Sequence, residues 1–212
     1  MLICFTGIDG SGKSTLAKES VSILKHRGIK SQYVYSKYQP ILTKPLISIG
    51  RRLFLGKRDY CKNYTQYTHT KRGLFKNRVF SLTYESLLLF DYLFQATMKV
   101  KLPLIMGKNV VCDRYVYDTV ITDLAVDINY STQKVERVIR GLFLLLPRPD
   151  ITFFIDVPEE IAYCRKNDVP SIEYLRERRA VYLDISRKDK MIALDGSKTL
   201  KELRSELKKR LS

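Results

Sequence analysis

Residues 2–27 read LICFTGIDGSGKSTLAKESVSILKHR, and they decide the fold. An apolar run, Leu2 to Phe5, breaks at Gly7, and a lysine-serine-threonine step opens a helical pattern. Gly7, Gly12, Lys13 and Ser14 fit G-x-x-x-x-G-K-[ST], the pattern of a phosphate-binding loop between a strand and a helix. Glycines let the backbone curl into a nest whose N–H groups face phosphate oxygens. The helix start adds unpaired N–H groups and the positive end of its dipole. The whole run Gly7, Ile8, Asp9, Gly10, Ser11, Gly12, Lys13, Ser14 and Thr15 is therefore the expected ATP cradle. Lys13 is expected to span the β- and γ-phosphates, and the Ser14 hydroxyl to ligate Mg²⁺. A chance glycine-rich turn is the alternative, and the strand-loop-helix context argues against it.

Outward from this loop, strands and helices alternate. Strands are expected at 31–35, 107–113, 151–156 and 191–194, with helices at 13–25, 46–54, 82–104, 131–145, 158–165 and 171–185 and one from Leu200. That alternation, without repeats or low-complexity linkers, predicts an α/β, three-layer P-loop fold with a five-stranded parallel sheet and helices on both faces. The 212 residues suit one such domain. Asp113 and Arg114 close the third strand, where side chains project into the ligand crevice. A structural ion pair is the plainer reading of that couple.

Composition narrows the class. Hydrophobic residues make up 45% of the chain, which supports a packed core and excludes disorder. The four cysteines form no close pair, so neither a zinc site nor a disulfide framework is indicated. The apolar stretch from Ser86 to Met106 is broken by Asp91, Gln95, Lys99 and Lys101 and reads as a buried helix, with no membrane span. The first strand begins almost at Met1, which predicts no signal peptide and a cytoplasmic location. The net charge of +16 admits a nucleic-acid partner, but solvated basic faces around a phosphate site are favoured over it. Residues 56–78 are basic and tyrosine-rich, expected as an inserted loop that is either a solvated excursion or a stacking surface.

The stretches GIDGSGKST (7–15), GKNVVCDRY (107–115), PRPDITFFIDVPEEIAYCR (147–165), RRAVYLDI (178–185) and DGS (195–197) together resemble the thymidylate kinases, nucleoside monophosphate kinases of the P-loop group. The resemblance covers most of the chain in order. It implies transfer of the ATP γ-phosphoryl group, with Mg²⁺, to the 5′-phosphate of dTMP. It gives Asp9 a place at the acceptor's sugar, Asp113 at the metal and its waters, and Arg114 on the transferring phosphates. Arg51 falls where the family clamps the acceptor phosphate, and Phe90 where it stacks the acceptor base. Arg165 opens a short lid, 165–173, and is a candidate catalytic residue alongside Lys13, Arg114 and Asp9. The family's habit of pairing through long apolar helices implies a homodimer. The acceptor side departs from the pattern. YSKYQP, at 35–40, offers only Lys37 for an expected arginine, Phe94 replaces another, and VYDTVITDLAVD brings Asp118 and Asp123 where base contacts are expected. Those departures leave open another acceptor, a nucleoside, another nucleoside monophosphate or a small metabolite, while the basic 56–78 segment and the +16 charge leave open a P-loop nucleic-acid-binding ATPase.

Overall fold

The computed structural model describes residues 1–45, 73, 75–166 and 168–211. The expected helix at 46–54, with Arg51, and nearly all of the basic 56–78 segment lie outside these residues.

Five parallel strands form one sheet: β1 (Leu2–Thr6), β2 (Ser31–Tyr35), β3 (Asn109–Asp113), β4 (Ile151–Asp156) and β5 (Ile192–Asp195), in the order β2-β3-β1-β4-β5. Their alternation sorts the core into two layers, because successive side chains of a strand point to opposite faces. Leu2, Cys4, Val110, Cys112 and Phe154 enter one hydrophobic cluster. Ile3, Phe5, Val111, Phe153 and Ile155 enter the other. The second cluster is closed by Leu16 and Leu24 of α1 (Lys13–His26) and Leu203 and Leu207 of α9 (Leu200–Arg210). Phe5 stacks on Phe153 with ring centroids 5.0 Å apart.

The other face carries α2 (Arg78–Ala96), a π-helical segment Thr97–Lys101 and α3 (Leu102–Ile105). Asn77 caps α2, which begins four residues before the expected boundary, its side chain accepting from the Val79 and Phe80 N–H groups. The π turn precedes Pro103, which has no N–H to continue an α-helical ladder. Residues 116–128, for which no element is expected, form α4 (Val116–Asp118), a π segment Thr119–Ala125 and α5 (Val126–Ile128). Then come α6 (Thr132–Leu145), α7 (Glu159–Cys164) and α8 (Ile172–Lys188). The remaining expected strands and helices fall within a few residues of their observed bounds.

Candidate active site

The loop from Gly7 to Gly12 sits where β1 ends, between its two sheet neighbours β3 and β4. Two of its glycines are required. Gly7 (φ 143°) would place a Cβ 2.6 Å from the Ile155 carbonyl oxygen, and Gly10 (φ 81°) would place one 2.2 Å from that of Ala162. Both a left-handed backbone and a close approach to β4 and α7 therefore exclude a side chain. Gly12 is the N-cap of α1 and offers no side-chain cap, so the first N–H groups of the helix remain for a ligand. Ser14 and Thr15 lie exposed at this helix start.

Lys13 is buried against the same loop. Its Nζ donates to the Gly7 and Ile8 carbonyls at 2.8 and 2.6 Å and to Ser11 Oγ at 3.3 Å. Burial, then the positive Arg114 nearby, brings its pKa down to about 7.

A charged network crosses the loop. Arg114 takes φ 69°, an uncommon conformation for a non-glycine residue, and its backbone N–H donates to the Phe5 carbonyl at 3.0 Å. Its guanidinium reaches Asp9 Oδ1 at 2.6 Å and Asp118 Oδ1 at 3.3 Å, with all three side chains buried. Asp118 also accepts from Thr6 Oγ1 at 2.8 Å and Tyr182 OH at 2.9 Å. Burial pushes the Asp118 carboxyl pKa up, against Arg114 and Lys13, which draw it down. Burial would raise Asp9 as well, but Arg114, Lys13, Lys37 and Lys166 outweigh it and hold that carboxyl well below the usual range. Lys166 Nζ lies 3.1 Å from Asp9 Oδ1, and Tyr174 OH donates to Oδ2 at 3.4 Å. Asp9 is thus an ionised hub for several cations, not a turn aspartate satisfying its own backbone.

Asp113, at the C-terminal end of β3, is fully buried. Its Oδ2 accepts from Tyr33 OH at 2.7 Å, while its Oδ1 has no hydrogen-bond partner. An uncompensated buried carboxylate oxygen is costly, and one at the end of the strand beside β1 suits the water shell of a divalent cation. Among the described residues no cluster of three His, Cys, Asp or Glu could hold a metal. A hydroxyl, one carboxylate and nucleotide phosphates are the donor set that Mg²⁺ commonly accepts.

The structure brings together Lys13, Asp9, Arg114, Asp113 and the loop. It does not bring Arg165 or Phe90 to them. Arg165 turns to the Gly196 carbonyl at 2.8 Å, and its neighbour Lys166 supplies the cation on Asp9. Phe90 is 65% exposed on the outer face of α2. The inner face presents Leu88, Asp91, Tyr92 and Gln95 instead. Buried Asp91 accepts from the N–H groups of Ile41 and Thr43 and from Thr43 Oγ1, while Gln95 Nε2 donates to Asp91 Oδ1 and the Gln39 carbonyl. The chain after β2 is tied to α2 by these bonds. Sequence reasoning missed Lys166, Tyr33 and Asp91. Only Lys166 has a local signal, as the residue after a lid arginine.

Comparison with known proteins fits this geometry. The family model described as "Thymidylate kinase" matches residues 65–207, well over half of the chain. The chain belongs to the thymidylate kinase family. It is 28% identical to a "Probable thymidylate kinase" of Archaeoglobus fulgidus, over 99% of this chain and 93% of the relative. It is 26% identical to the "Thymidylate kinase" of Thermosipho africanus, over 98% and 96%. A "Thymidylate kinase" of Caenorhabditis elegans is 28% identical over 76% of this chain and 65% of its own length.

Proposed function

We propose that this member of the thymidylate kinase family transfers the γ-phosphoryl group of ATP to the 5′-phosphate of dTMP, giving ADP and dTDP. The observation that carries the reading is Arg114 held between Asp9 of the phosphate loop and Asp118. Phosphoryl transfer calls for positioning and charge neutralisation more than covalent help. The N–H groups of residues 7–15 and the Lys13 ammonium bind the triphosphate. Arg114, fixed by its two carboxylates, presents a planar fork to the phosphates. Asp9 orients Arg114 and Lys166 and faces the acceptor. Ser14 and Asp113 are the residues that would hold Mg²⁺, which when bound would neutralise charge on the nucleotide phosphates. Lys166 and Lys37 supply acceptor-side charge where the family's arginines are missing, and Arg51 is a further candidate there. Arg165, on the Gly196 carbonyl, belongs to the ATP side of the lid.

A second copy of the chain is the proposed partner. Val79, Leu82, Phe90, Phe94, Met98, Leu102 and Ile105 run as an exposed apolar stripe along α2, the π segment and α3. Their spacing keeps them on one side of the helix, and stripes of this kind mark protein interfaces. No helix among the described residues is long and apolar enough to cross a membrane. Readings with another small acceptor, or with a nucleic acid, draw no support from the family or its relatives.

The deciding experiment measures ADP formation with dTMP, dUMP, other nucleoside monophosphates and thymidine, each with and without Mg²⁺. A dTMP-dominated rate that needs Mg²⁺ is expected. Turnover with a different acceptor and none with dTMP would overturn the reading.

A further inference from the structure

Tyr33 belongs to no motif. It lies on β2, and β2 pairs with β3 in a register that sets Tyr35 against Asp113 and Tyr33 against Val111. Residues two apart on a strand share a face, so Tyr33 and Asp113 are diagonal neighbours on one side of the sheet. The ring packs against the α1-side core, with Lys18 Nζ 5.7 Å from its centroid. From there the phenol donates to Asp113 Oδ2 at 2.7 Å. The Tyr33 hydroxyl is thus bonded to one of the two side chains assigned above to the metal. It engages one oxygen of Asp113 and leaves Oδ1, buried and without a partner, as the remaining acceptor.

We propose that Tyr33 is a positioning residue for the divalent-metal side of this site, fixing the Asp113 carboxylate through Oδ2 so that Oδ1 serves the metal's water shell. The inference rests on the assignment of Ser14 and Asp113 to Mg²⁺ made above. Groups that orient metal ligands in this way typically change metal affinity or activity by about 10- to 100-fold when removed. An apolar side chain at position 33 would satisfy the packing equally well, so the hydroxyl is the part that needs a function.

The test compares the wild type, Tyr33→Phe and Asp113→Asn. Mn²⁺ binding to each protein–ADP complex is followed by electron paramagnetic resonance, with ADP affinity in EDTA and the melting temperature measured alongside. Tyr33→Phe should weaken Mn²⁺ by about tenfold or more, leaving metal-free ADP affinity and melting nearly unchanged. In turnover, the Mg²⁺ concentration for half-maximal rate should rise by the same factor, with KM for dTMP unmoved. If Asp113→Asn weakens Mn²⁺ and Tyr33→Phe does not, the Tyr33 role is wrong and the metal site stands. If neither weakens it, the Asp113 assignment falls and the Tyr33 role falls with it. Because the readout needs no acceptor, it is independent of whether dTMP is the substrate.

Discussion

Arg114 Nη2 lies 2.6 Å from Asp9 Oδ1, joining the end of β3 to the phosphate loop across 105 residues of sequence. With Asp118 on its other nitrogen, the guanidinium is held in one orientation by two carboxylates. A lysine cannot reproduce that fork. Arg114→Lys should lower kcat/KM for dTMP by at least about 100-fold, the scale of losing one preorganised charge donor. It should also lower the unfolding free energy, since two buried carboxylates lose part of their compensation. Steady-state kinetics with dTMP and thermal unfolding check both. A variant with wild-type kcat/KM would remove Arg114 from the reaction.

Lys13 gives a proton-linked signal. With a pKa near 7 it is largely neutral at pH 8, and its ammonium is needed against phosphates. Binding of ADP at pH 8 should therefore take up a proton, whereas at pH 6 Lys13 is charged with or without nucleotide and contributes none. Calorimetry in buffers of differing ionisation enthalpy measures the uptake. Stability follows the same sign. Between about pH 7 and 10.5 the folded lysine binds fewer protons than the unfolded one, so this group's contribution to stability grows as pH rises through that window and is smallest below it. Lys13→Ala should abolish the proton uptake and most of the activity.

How far the sequence carries can be read from these residues. The phosphate loop was legible because its signal is local, with glycine spacing, an apolar strand before and a helix after. The sheet was legible because its strands are short apolar runs bounded by turns. Residues 116–128 were not legible, since the β-branched run Thr119-Val120-Ile121-Thr122 conceals a π segment enclosed by the core. Phe90 and Phe94 look alike as helical apolar residues, and only the packing of Leu88, Asp91 and Tyr92 shows that they face outward. Tyr33 depends on strand order, because β2 and β3 are neighbours in space and far apart in sequence. No local pattern records such a pairing.

Asp91 should act on the acceptor side without touching ATP. Its carboxylate takes three donors from residues 41–43 and one from Gln95. Hydrogen bonding outweighs burial and lowers its pKa, so its stabilising contribution is present above the usual carboxylate range and lost as pH falls through the lowered value. Asp91→Ala leaves the Ile41 and Thr43 donors without this acceptor and should cost about 2–4 kcal/mol of stability. Because residues 39–43 follow the strand that leads to Lys37, KM for dTMP should rise while ADP affinity stays constant. Denaturant unfolding and binding titrations separate the two effects. An unchanged unfolding midpoint would show that the tie to α2 carries no weight.

Phe90 distinguishes two roles for one helix. As a base-stacking residue its loss would raise KM for dTMP by about 10- to 100-fold, since aromatic stacking on a base is worth roughly 1–3 kcal/mol. As part of the outward stripe with Phe94 and Met98, it would instead be covered by a second copy of the chain. Its 65% exposure on the face opposite Asp91 favours the second role. Phe90→Asp places a charge in the middle of that stripe, where desolvating it on association is unfavourable. The variant should sediment as a monomer at concentrations where the wild type sediments as a dimer, with its melting curve still cooperative. KM for dTMP, measured on the same preparations, decides the matter. A large rise with the dimer intact would return Phe90 to the acceptor site, and dissociation with KM little changed places it at the subunit interface.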